Sequence, residues 1–124
     1  MGNTYFIHAG TFQAVLLKDR LTEMTRPQFR KLLRLALTES ENRPTLDAMG
    51  ADIRDQVAGA KAAWKAADQS CRTNWTHVAH PRSRKPEIVK IMDENRRLKE
   101  AVRAAKNHYD NWVSIQANFE KECS

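Results

Sequence analysis

The residues able to do chemistry in this chain are few and badly spaced for it. Cys71, His77 and His80 sit near one another, but their spacing matches no common zinc pattern, and Cys123 is the only other thiol. The carboxylate pairs Asp93–Glu94 and Glu39/Glu41 stand one or two residues apart, where side chains on a helix do not face each other. There is no Gly-rich phosphate loop, no nucleophile elbow and no paired His on a helix face. These absences lead us to expect no enzyme, no cofactor and no metal.

What the chain does hold in quantity is positive charge. It carries 21 Lys and Arg against 15 Asp and Glu, for a formal net charge of +6. Between positions 81 and 106 stand nine bases against four acids, so five of the six net charges belong to that stretch. Arg82, Arg84, Lys85, Arg96 and Arg97 lie there, and loop arginines suit bidentate contacts to phosphate. A second stripe, Arg26, Arg30, Lys31 and Arg34, recurs at helical spacing. The chemistry these two groups suggest is phosphate-backbone binding. The plainer alternative is a solvated, basic flank of a coiled coil.

Positioning those side chains falls to long helices. From Pro86 onward, apolar residues alternate in steps of three and four: Ile88, Ile91, Leu98, Val102, Ala105, Tyr109 and Trp112, with Asn95 filling one gap. That is a heptad seam. Pro86 suits a first helical turn, since the amide it lacks would be unpaired there. A similar pattern runs from Leu46 to Val78, with Thr45 as its expected cap. Two helices of similar length flanking the polar segment 80–85 predict a long antiparallel helical hairpin or coiled coil. Asn95 at an a position argues differently, because a buried Asn there fixes the register of parallel dimers.

Upstream, Thr25-Arg26-Pro27-Gln28 reads as a capping box opening a helix with Phe29, Leu32, Leu33 and Ala36 on one face. Thr4 to His8 is a short strand-like run closed by Ala9-Gly10. For the segment from Thr11 to Leu21, the spacing of Phe12, Val15 and Leu16 favours a helix over a second strand. That helix would make a helix-turn-helix outline with the next, with Gln28 and Arg30 as base readers.

The expected fold is therefore mainly all-α. Residues 1–44 form a capped N-terminal helical unit, with one short strand or hairpin as an option, and 45–124 form the long hairpin, together one structural domain. No apolar run reaches the roughly 20 residues that span a bilayer, and no secretory signal pattern opens the chain, which points to the cytoplasm. The expected function is a small basic helical accessory protein that binds nucleic acid. The alternative is a helical protein-binding adaptor or inhibitor, for example of phage or bacterial origin, with no nucleic-acid contact. Trp75, Val89, Met92, Val113 and Ile115 exceed what one seam can bury, so a homo-oligomer or protein partner is expected over Ile88, Ile91, Asn95, Leu98, Val102 and Trp112.

Overall fold

The computed structural model describes residues 4–78 and 85–123, with the side chains of Phe12, 75–78 and 85–88 outside the description. Its elements run β1 (Thr4–Ala9), β2 (Phe12–Leu17), a 3-10 helix Lys18–Thr22, α1 (Arg26–Leu37), a short 3-10 turn Ser40–Asn42, α2 (Arg43–Val78) and α3 (Lys85–Cys123). The chain is thus mostly helical, with one small two-stranded antiparallel sheet. It divides into two compact units, Met1–Val57 with Asn111–Ser124, and Ala58–Asp110. No helix among the described residues is long and apolar enough to cross a membrane.

The first unit begins with a hairpin that the sequence reading placed as strand then helix. Residues 11–21 are a strand followed by a 3-10 turn, in place of the expected helix. The cause is the two-residue link. Gly10 has φ 63 and no other described residue has positive φ, which fits a type II′ turn with Gly at its first central position. That turn sets Ala9 opposite Phe12 and carries the register on to Thr4 opposite Leu17. Strand pairing then overrides the weak helical spacing of FQAVLL. No α-helix precedes α1 among the described residues, so the helix-turn-helix outline with Gln28 and Arg30 as base readers dissolves.

A lone two-stranded hairpin is marginal in water, so this one must be anchored. Tyr5 and Ile7 point inward and are buried with Leu21, Phe29, Leu33, Ala36, Leu46, Met49, Ile53, Trp112 and Ile115. Full burial of each large side chain is worth roughly 1.5–3 kcal/mol. α1 supplies Phe29, Leu33 and Ala36 at steps of four and three. Its start is the expected capping box: the Gln28 amide donates to Thr25 Oγ1, and the Thr25 amide donates to Gln28 Oε1 at 3.0 Å.

α2 starts three residues earlier than expected, at Arg43 rather than Leu46. Thr45 is consequently not its cap. Its hydroxyl donates to the Phe6 carbonyl at 3.1 Å, tying α2 to β1.

The second unit is thinner. Among its described residues only Ala60 and Asn95 are buried. Trp64 stacks on Tyr109 with ring centroids 5.6 Å apart, and Lys106 Nζ lies 5.1 Å above the Trp64 ring while bonding Asp110 at 2.7 Å. Asn74 Nδ2 donates to the Ile91 carbonyl at 3.1 Å. Asn95 Oδ1 accepts from the Cys71 thiol at 3.7 Å, so this polar seam residue finds a partner within its own chain. The α2 and α3 segments of this unit therefore run in opposite directions.

Candidate functional site

Of the expected phosphate-binding residues, the structure gathers four on α1 of the first unit. Arg26, Arg30, Lys31 and Arg34 stand on a helix that carries no acid at all. Arg34 is engaged: its Nε and Nη2 donate to the two Glu122 carboxylate oxygens at 3.2 and 3.3 Å, a bidentate pair in which the Glu122 side chain is mostly covered. Arg26, Arg30 and Lys31 have no acidic partner among the described residues. Arg96 and Arg97 belong to the second unit, where each faces an acid one turn back, Asp93 and Glu94. Such exposed i,i+3 pairs are weak and exchangeable. Arg82 and Arg84 lie outside the described residues, as does the side chain of Lys85.

The seam residues divide similarly. Asn95 and Trp112 are buried, while Ile91, Leu98 and Val102 are half-buried. The side chain of Ile88 lies outside the description. Val89, Met92 and Val113 of α3 are exposed.

Sequence reasoning missed two polar clusters in the first unit. In one, the Tyr5 hydroxyl donates to Asp52 Oδ2 at 2.7 Å, and Lys18 Nζ reaches the same oxygen at 2.7 Å while lying 5.2 Å above the Tyr5 ring. Lys18 holds the Asp52 carboxyl below its usual range against the opposing effect of burial. Burial first, then the bond to Asp52, pushes the Tyr5 hydroxyl well above the ordinary phenol range. A tyrosine that keeps its proton this firmly is no general base, and the cluster works as a clamp between hairpin and α2. In the other, fully buried Asn42 bonds β1 and the end of α1. Neither has a local sequence signal, because Asp52 lies 34 and 47 residues from Lys18 and Tyr5, and Asn42 lies 34 from His8.

The Cys123 thiol offers little reactivity. Cys71 and Cys123 are free. Burial and then Glu122 push the Cys123 thiol up, with Arg43 opposing, so the thiolate that would act as nucleophile is disfavoured. Among the described residues, no three His, Cys, Asp or Glu side chains gather as metal ligands.

The most distinctive surface is apolar. An open trough of about 580 Å³ runs between the Lys18–Thr22 turn and α1, lined by Leu16, Arg20, Met24, Gln28, Lys31, Leu32 and Leu35. On α1 this flank is separate from the arginines: Arg30 and Leu35 are five residues apart, about 140° around the helix. The hairpin adds further apolar surface. Phe6 pairs with Val15, and Thr4 with Leu17, on one face where Phe6, Val15 and Leu17 are all about half exposed. No protein-family model matches this chain, and neither a curated protein nor a solved structure is found to be similar to it.

Proposed function

We propose that this chain is a non-catalytic binding protein, an adaptor or inhibitor, whose first unit docks a protein partner. One observation carries the reading. Leu35 at the trough and Phe6, Val15 and Leu17 on the hairpin stand exposed, in a unit that buries Ile7, Leu33 and Met49 completely. Large apolar side chains left exposed beside a trough support an interaction site. In this reading α2 and α3 belong to a long helical hairpin, and the exposed Val89, Met92 and Val113 support self-association. The chain works in the cytoplasm without a cofactor.

The test is capture from nuclease-treated lysate on the immobilised chain, beside the Leu35→Glu variant. Leu35 is 47% exposed, so the change leaves the core intact. Proteins that survive nuclease and are lost on the variant support the reading. Retention unaffected by Leu35→Glu contradicts it.

A second reading, binding to nucleic acid, is favoured by the acid-free α1 with Arg26, Arg30 and Lys31 unpaired among the described residues. It expects retardation of a short duplex at about 50 mM salt that fades by about 200 mM, as counterion release demands. The bidentate engagement of Arg34 by Glu122 leaves it one contact fewer.

A further inference from the structure

Resting on the reading of the first unit as a protein-docking module, we propose that the trough between the Lys18–Thr22 turn and α1 seats an acidic amphipathic helix of a protein partner. Charge complementarity selects the sign. The trough's only charged residues are Arg20 and Lys31, both bases, in a chain of net charge +6. Lys31 has no acidic partner among the described residues. Arg20 reaches Glu23 only at 4.0 Å, with both side chains largely in water, a pair that an incoming carboxylate displaces at little cost.

Shape selects the helix. Along α1 the lining residues Gln28, Leu32 and Leu35 follow steps of four and three, and span about 10 Å, two turns. Such a ridge-and-groove surface takes the ridges of a second helix at about 8–10 Å between axes. Leu16 and Met24, from outside α1, complete the trough's wall. The Met24 thioether is unbranched, so this wall adapts to differently shaped anchors. Because the trough is open, a small amphiphile in it would keep much of its surface in water, whereas a helix lays its whole apolar face down. The partner thus presents two or three apolar anchors at i, i+3 or i+4, and i+7, flanked by Glu or Asp facing Arg20 and Lys31.

The probe is a fluorescein-labelled designed peptide with Leu anchors at that spacing and Glu on both flanks, beside a scrambled peptide of the same composition. Anisotropy is read with the full chain and with Leu35→Glu, Lys31→Glu and Arg26→Glu, each checked for native circular dichroism. Binding of the designed peptide, weakened about tenfold or more by Leu35→Glu and Lys31→Glu and left unchanged by Arg26→Glu on the other flank, is expected. A peptide with Lys in place of the flanking Glu should regain binding to Lys31→Glu. Equal binding of the scrambled peptide, or equal loss with Arg26→Glu, overturns the inference. So does displacement by a fatty acid or a short duplex without dependence on Leu35. If the peptide fails while capture from lysate still depends on Leu35, the inference falls and the protein-docking reading stands. If both fail, that reading falls too.

Discussion

The Asn42 side chain grips both backbone groups of His8: its Oδ1 accepts from the His8 amide at 2.7 Å, and its Nδ2 donates to the His8 carbonyl at 2.8 Å. The register explains the need. With Ala9 opposite Phe12 across a two-residue turn, Phe6 and His8 turn their backbone groups to the free edge of β1. Asn42 and Thr45 fill that edge as a third strand would, and Asn42 also donates to the Ala36 carbonyl at the end of α1.

Asn42→Ala should therefore cost about 2–4 kcal/mol, since it leaves buried backbone groups unpaired and opens a cavity at a fully buried position. Urea unfolding measures this. A loss below about 0.5 kcal/mol would show that water replaces the side chain freely.

The Tyr5–Asp52–Lys18 clamp predicts a pH dependence at both ends. Asp52 is held below its ordinary value of 3.8, chiefly by Lys18, so its contribution is complete above that value and lost as pH falls through the lowered one. Tyr5 is raised above 10.0, so its contribution is complete below that value and disappears as pH climbs beyond it. Asp52→Asn should flatten the acid limb of the stability profile. Tyr5→Phe should cost about 1 kcal/mol at neutral pH and flatten the alkaline limb. Unchanged limbs in both variants would mean the clamp is not formed in solution.

At the hairpin turn, Gly10 has φ 63. L-Ala there should destabilise by about 1 kcal/mol, whereas D-Ala, introduced by chemical synthesis of the hairpin segment and ligation, should be neutral or stabilising. Equal effects of the two enantiomers would rule out the type II′ geometry.

Gly50 on α2 tests packing against the C-terminal part of α3. A Cβ at that position would stand 2.8 Å from Phe119 Cε1, too close without movement of the ring. Helix propensity alone favours Ala by about 1 kcal/mol. Gly50→Ala should consequently gain more in a Phe119→Leu background than alone, a favourable coupling read from a double-mutant cycle. Simple additivity would place the ring elsewhere.

What could be read from the sequence was local. The Thr25–Gln28 capping box announces itself within four residues, and the long helices within their own periodicity. β2 ranks second to a helix in the sequence because Phe12, Val15 and Leu16 satisfy helical spacing, while the deciding factor is the φ that Gly10 adopts. The Arg34–Glu122 pair joins residues 88 positions apart, and Arg34 therefore looked free on its helix when it is held. The trough was invisible for the same reason: Leu16, Met24 and Leu35 form a surface only after the hairpin and α1 have packed.

The most direct test of the docking site reads the methionine methyls. Met24 lines the trough, Met49 is fully buried in the same unit, and Met92 is exposed in the other unit. Titrating the designed acidic peptide into methyl-labelled chain should shift the Met24 methyl resonance to saturation while those of Met49 and Met92 stay in place. A shift at Met92 without one at Met24, or no shift at Met24 at peptide saturation, would contradict the account.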